Sequence, residues 1–239
     1  MTDNNYLLAK FGEREYLEML SNGYIYFNPI SKYRNDTTVF RGDNKEGLVP
    51  IDPSELKMFD KSGQDIFNFI PRPTTVMQSI VGDDSILTFC ASIITENILY
   101  YNNQNYVFTE DYKSAIKEFG EYVLLFSCEE LLTLLRNAQI NAYPKFGFTS
   151  GPIIYRDLND FTDAGSYRNA YNIKGSVYDP YFVKSSKYKN QNEWRLIVDG
   201  SNESLPTNDD GSYIIKIDNM KWANLCDTNT FLNTFSMSV

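Results

Sequence analysis

One run of nine residues, Ile86-Leu87-Thr88-Phe89-Cys90-Ala91-Ser92-Ile93-Ile94, constrains the fold of this chain more than any other segment. It carries no charge and is rich in β-branched and apolar side chains, so it reads as a buried strand in the middle of a sheet. It is too short to span a bilayer, which takes about 18 apolar residues, and no other run reaches that length. A chain of 239 residues with 42% hydrophobic and 15% aromatic residues has enough apolar surface for a packed core. That composition excludes global disorder.

Around this strand the pattern alternates between short strands and helices. Tyr6–Phe11 reads as a strand ended by Gly12, and Glu13–Asn22 as a helix with Tyr16, Leu17 and Leu20 on one apolar face. Glu13 and Glu15 suit its first turn, and Gly23 suits the position after its end. Tyr24–Phe27 is the next strand, broken at Asn28-Pro29. Ile30–Asp84 reads as an irregular covering segment with short strands at Ile66–Ile70 and Thr75–Ile80. The aromatic segment Ile98–Phe108 leads to a helix over Glu110–Phe119, capped by Thr109 and stopped by Gly120. Tyr122–Phe126 is a strand, and Ser127 with Glu130 forms a capping box for a helix to about Asn137. Lys145–Thr149 and Pro152–Tyr155 read as strands paired through Ser150-Gly151, and Arg156–Pro180 as a polar, turn-rich stretch. Trp194–Val198 and Tyr213–Ile217 are strands, Asn208–Gly211 is a turn, and the tail from Leu225 to Val239 is helical or loose. No repeat or linker divides the chain. The expected fold class is therefore α+β, one domain over residues 1–239, with a mixed or antiparallel twisted sheet flanked by a few helices.

The chain contains no histidine. This excludes a His general base, Ser-His-Asp and Cys-His nucleophile systems and imidazole zinc sites, and leaves acid–base work to Asp, Glu, Tyr, Lys or Cys. Cys90, Cys128 and Cys226 are widely spaced and read as reduced, mostly buried thiols. Cys128 stands at a helix start, where a thiol pKa can fall. Asp83-Asp84 and Asp209-Asp210 fit no EF-hand spacing and read as solvated loops, and Arg41-Gly42-Asp43 reads as a turn, so no metal is expected. Neither a P-loop nor a Gly-x-Gly-x-x-Gly motif is present. A formal net charge of −9 argues against binding to a phosphate backbone and fits plain solubility. It would also let the surface imitate nucleic acid and block a protein partner. Met1-Thr2-Asp3-Asn4-Asn5 lacks the basic and apolar regions of a secretory signal, so a cytoplasmic location without a membrane partner is expected. Abundant Asn, with 18 Tyr, points to A/T-rich coding of the kind seen in low-GC bacteria and their phages.

The segment richest in chemistry is Tyr181 to Val198, where a basic loop around Lys184-Ser185-Ser186-Lys187-Tyr188-Lys189 runs into a strand at Gln191-Asn192-Glu193. Residues two apart in a strand share a face, so the Gln191 amide and the Glu193 carboxylate are expected to project together into one site. Such a pair can hold a ribose hydroxyl, steady a cationic transition state or orient an acceptor. The competing reading is structural: Glu193 pairs with Arg195 while Trp194 anchors the core.

Several of these segments carry a resemblance. Leu20-x-x-Gly23-x-Ile25-Tyr26-Phe27-x-Pro29, the later Glu46-Gly47, the Leu87–Ser92 strand, Phe182-x-Lys184 and Gln191-x-Glu193-Trp194-Arg195 resemble elements of the bacterial family DUF2971, a domain of unknown function. The Asn-Asp-Pro-Phe run of that family is not intact around Asn35-Asp36, and its mid-chain histidine is missing. The same layout is similar to that of ADP-ribosyltransferases, whose chemistry needs no histidine. That second resemblance implies Glu193 as the catalytic acid, Gln191 as the acceptor-orienting residue and Ser92 on the central strand. It also implies an early Arg, Arg34 or Arg41, as a phosphate clamp, and Tyr24, Tyr26 or Tyr33 stacked on nicotinamide, with Lys184 in the cofactor site and NAD as the cofactor.

Two functions follow as expectations. One is an ADP-ribosyltransferase-like, NAD-consuming protein in phage–host conflict. The other is a non-catalytic protein that sequesters a nucleotide-type small molecule, or blocks a host or phage protein through an acidic, tyrosine-rich surface.

Overall fold

The structure, a computed structural model, describes residues 6–36, 42–51, 54, 56–71, 73, 76–78, 85–102, 105–142, 147–156, 178–199 and 208–238. The chain opens with β1 (Leu7–Gly12), α1 (Arg14–Ser21), β2 (Tyr24–Pro29) and α2 (Ile30–Asn35). Two short strands, β3 (Val49–Ile51) and β4 (Val76–Gln78), precede the long β5 (Ile86–Ile94). Next come β6 (Leu99–Asn102), β7 (Asn105–Phe108), α3 (Glu110–Ile116), β8 (Tyr122–Ser127) and α4 (Cys128–Asn141). The remainder is β9 (Phe148–Pro152), β10 (Ile154–Arg156), β11 (Val183–Ser185), β12 (Glu193–Asp199), β13 (Tyr213–Lys216), β14 (Ala223–Asp227), α5 (Thr228–Thr234) and β15 (Met237–Ser238). The α+β class and the antiparallel sheet with a few helices are as expected from the sequence.

Local chemistry explains the element ends. Gly23 follows α1 at φ +84°, and a Cβ there would meet the Ile217 carbonyl oxygen at 2.3 Å. Only glycine satisfies both the left-handed backbone and this close approach. Ser127 accepts the Glu130 N–H at 3.3 Å and starts α4, while Thr109 and Asp227 accept N–H groups at the starts of α3 and α5.

The main sheet has eight strands, and its centre is β5. On one edge β5 pairs with β12 along Ile86–Ser92. The other edge is shared: β1 pairs with Ser92–Ile94, and β2 pairs with Leu87–Thr88. Both pairings are antiparallel, but Phe89–Ala91 has no strand on this side. Beyond Ala9, β1 leaves β5 and continues against β8 and, through it, β14. Before Asn28, β2 runs against β13 instead. The sheet therefore forks at the middle of β5.

Period-2 alternation divides the side chains between two faces. Leu87, Phe89, Ala91 and Ile93 of β5 face a core shared with Leu8, Phe126, Trp194 and Leu196, covered by Leu17 and Leu20 of α1 and Leu131, Leu132 and Leu135 of α4. The opposite face carries two smaller apolar clusters, one around Phe108, Tyr112 and Phe231, the other around Ile30, Ile86, Tyr181 and Ile197. Between them runs a polar strip formed by Cys90 and Ser92 of β5 with Glu193 and Arg195 of β12.

Three expectations are corrected, and a fourth, the helical tail, holds from Thr228 onward. Ile66–Asn68 forms a 3-10 turn in place of a strand, because Asp65 accepts the Phe67 N–H at 3.0 Å and bends the chain. Ser150-Gly151 is no hairpin turn. Phe148–Pro152 runs straight through it along β12, while Ile154–Arg156 pairs in parallel with β11. Pairing along β12 from Trp194 to Val198 keeps these residues extended through Ser150-Gly151; Lys145 itself lies outside the described residues. In the covering segment, Pro29 leads directly into the turn of helix α2, its fixed φ suiting a helix start. The tail from Leu225 is ordered as the end of β14 followed by α5. The Arg156–Pro180 reading falls mostly outside the described residues, as does Asp83-Asp84. No helix among the described residues is long and apolar enough to cross a membrane.

Candidate functional site

Four buried charges meet at the polar strip, Glu193 and Arg195 on it and Lys184 and Glu46 reaching it from outside. Arg195 donates from Nε and Nη2 to Glu193 Oε1 at 3.0 and 2.5 Å, and from Nη1 to Glu46 Oε1 at 2.8 Å and to the Tyr181 carbonyl. Lys184 Nζ donates to Glu193 Oε2 at 2.9 Å and to Gln191 Oε1 at 3.0 Å, and lies 3.7 Å from Glu46 Oε2. Both Glu193 oxygens are thus held by cations, and the residue is 7% exposed. Two positive and two negative groups balance, which a buried site requires.

Burial alone would raise the Glu193 carboxyl, but Arg195 and Lys184 outweigh it and hold the group well below the ordinary carboxylate range. Burial opposes the charge on Lys184 and Arg195 as well, and Glu193 and Glu46 reverse that effect, so both stay cationic. Burial pushes the Tyr33 and Tyr155 phenols up and the Cys90 thiol to about 12, so these three are neutral. The Cys128 thiol is also pushed up to about 12 by burial, against the lowering expected at a helix start.

The backbone at Gln191-Asn192-Glu193 is pinned from several sides. Gln191 closes a 3-10 turn over Ser186–Gln191, Asn192 adopts φ +45°, and Glu193 begins β12. Gln191 and Glu193 therefore do not meet as alternate residues of one strand; a left-handed residue between them turns both toward Lys184. Asn tolerates that conformation better than most residues. Its amide donates to the Ile93 carbonyl at 2.6 Å and to Thr95 Oγ1 at 2.8 Å. Tyr112 donates to Ser92 Oγ, and Ser92 to the Gln191 carbonyl, each at 2.9 Å. The Glu193 N–H reaches Tyr155 Oη at 2.8 Å.

At the fork this strip borders a cavity of about 860 Å³. Its floor includes Cys90, Ser92, Lys184, Gln191, Glu193 and Arg195. One wall is β1 from Ala9 to Gly12 with Phe119–Tyr122; the other is Asn28, Lys32, Tyr33 and Asp36. Glu13 and the first residues of α1, Arg14 to Tyr16, also line it. Lys10 donates to the Cys90 carbonyl at 2.6 Å, where a strand N–H would stand if the sheet did not fork. Gly12 and Gly120 touch in the wall; a Cβ on Gly120 would lie 2.4 Å from the Gly12 Cα.

Of the residues nominated from sequence, Gln191, Glu193, Ser92, Lys184 and Tyr33 all line this cavity. Three others lie elsewhere, among them Tyr24, which is 42% exposed with Lys216 Nζ 4.2 Å over its ring. Arg34 donates from Nε to the Glu46 carbonyl at 3.0 Å, and Tyr26, 41% exposed, donates to Asp210 at 2.9 Å. Arg41 lies outside the described residues. Glu46 and Lys10 were not nominated. Glu46 reaches Arg195 across 149 positions of sequence, a separation that no local pattern reveals. The described residues contain no group of three or more Cys, Asp or Glu side chains placed to hold a metal ion. Comparison with family models, curated proteins and solved structures returns no match to this chain.

Proposed function

We propose that the protein binds, without transforming it, a small nucleotide-type ligand in the cavity at the fork of the sheet. The observation that carries this reading is the state of Glu193. Both of its oxygens are engaged by Arg195 and Lys184, so neither serves as a base or as a free ribose acceptor. The neighbouring thiol and phenols are held in their neutral forms. The cavity volume falls within the common range for small-molecule sites. Tyr33, Phe119 and Tyr122 offer aromatic surface to a base, and Lys10, Arg14 and Lys32 bring positive charge to the lining, a phosphate competing there with the Cys90 carbonyl, Glu18 and Asp210 that they bond.

Thermal-shift and calorimetric titration of the whole protein with NAD, ADP-ribose and signalling nucleotides tests the reading. A bound ligand at 100 times its Kd stabilises by about 2.7 kcal/mol. No shift with any member of the panel overturns it.

The ADP-ribosyltransferase-like reading, with NAD consumed in phage–host conflict, is the second. It is favoured by Gln191 and Glu193 converging on one point of the cavity floor. On that reading labelled NAD is hydrolysed or transferred in lysate, and Glu193→Gln abolishes turnover while the protein still melts cooperatively. Binding with no turnover leaves the first reading standing alone.

A further inference from the structure

We propose that the Glu46 side chain is an internal stand-in for an oxyanion, phosphate or carboxylate, and that an anionic ligand displaces it from Arg195 and Lys184. The inference rests on the binding reading of the cavity and names the group by which the ligand is held.

The first observation is how Glu46 is held. It arrives on residues 42–48, outside the sheet, and its side chain is fully buried. Oε1 takes one bond from Arg195, whereas Oε2 accepts none and is 3.7 Å from Lys184. A buried carboxylate oxygen without a hydrogen bond is unfavourable. Asp43, on the same segment and 1% exposed, also carries an oxygen without a partner. Two of the three such side-chain oxygens among the described residues therefore belong to residues 42–48.

The second observation is the geometry of the cations. Arg195 and Lys184 both line the cavity and both face Glu46. Guanidinium and ammonium groups set side by side form an oxyanion receptor, the guanidinium able to make paired bonds to either anion. Glu193 is held through both oxygens, three bonds in all, and Glu46 through one. Glu46 is the carboxylate that leaves more easily. The segment remains tied to the body by main-chain contacts, Arg34 Nε to the Glu46 carbonyl, Tyr188 Oη to the Gly42 carbonyl and the Asp43 N–H to the Tyr33 carbonyl. Withdrawal of the side chain breaks its bond to Arg195 and so loosens residues 42–48, while these contacts keep the segment from leaving.

Calorimetry with inorganic phosphate and with acetate, on the wild-type protein and on Glu46→Ala and Glu46→Gln, tests this. Removing the occupant should tighten binding of at least one anion about tenfold, since the competent state no longer competes with Glu46. The larger gain tells phosphate from carboxylate. In the wild-type protein, saturating anion should speed hydrogen exchange over residues 42–48. Equal affinities in all three proteins overturn the proposal. So does a gain in the variants without an exchange change in the wild type, which marks a hole made by the substitution. If neither variant folds, the wild-type exchange result decides alone. A nucleotide that binds the wild type while these results are flat spares the binding reading; anion displacement with no nucleotide bound does the reverse.

Discussion

At the scale of single residues, the buried charges make the sharpest demands. Among the described residues, Glu193→Gln leaves Arg195 and Lys184 with only Glu46 as a carboxylate partner. Loss of one member of such a network is expected to cost about 3–5 kcal/mol, measurable by urea unfolding at neutral pH. The pH dependence has a definite sign. Glu193 titrates lower in the folded chain than its ordinary value of 4.5, so its contribution is complete above that value and is lost as pH falls below it. Acid unfolding of the wild type should be steep below about pH 4.5, and the Glu193→Gln curve flatter there. The local pattern from Lys184 to Arg195 made three of the four charges of this network legible in the sequence. Glu46 was not legible, because its role exists only once a distant segment folds against β12. The left-handed turn at Asn192 was also missed, since a polar residue before a strand looks the same whether it extends or bends.

At the scale of elements, caps and glycines were the readable signals. The Ser127-Glu130 pattern marked the start of α4, and Ser127→Ala should cost about 1 kcal/mol in a denaturant titration, through loss of the bond to the Glu130 N–H. Gly120→Ala pushes a methyl group into the Gly12 backbone and should destabilise by about 1–3 kcal/mol, lowering Tm. Because both glycines stand in the cavity wall, the same variant should weaken ligand binding. Pairing partners were harder to read. The apolar pattern near Ser150-Gly151 fits a hairpin as well as a single strand, and the choice was made by the exposed edge of β12, which lies some forty positions on. Asp65 similarly converts an apolar stretch into a 3-10 turn by one side-chain bond.

At the scale of the whole molecule, the sheet is built from distant partners: Ser92 opposes Glu193, Leu7 opposes Ile94, and Phe27 opposes Tyr213. Such non-local pairing predicts slow folding, in milliseconds to seconds, which stopped-flow fluorescence of Trp194 and Trp222 would measure. The strand content and the α+β class could be read from periodicity, but the fork could not, because it depends on which stretch of one edge each neighbour takes. That fork has a mechanical consequence. Two leaves, β1 with β8 and β2 with β13, share a short spine at Phe89–Ala91 where no ladder bond ties one leaf to the other. The width of the gap between the leaves is therefore set by side chains, not by a ladder: by Leu8, Phe27 and Leu17 packed in one core beneath both, and by the Lys10 bond that ties the first leaf to the spine.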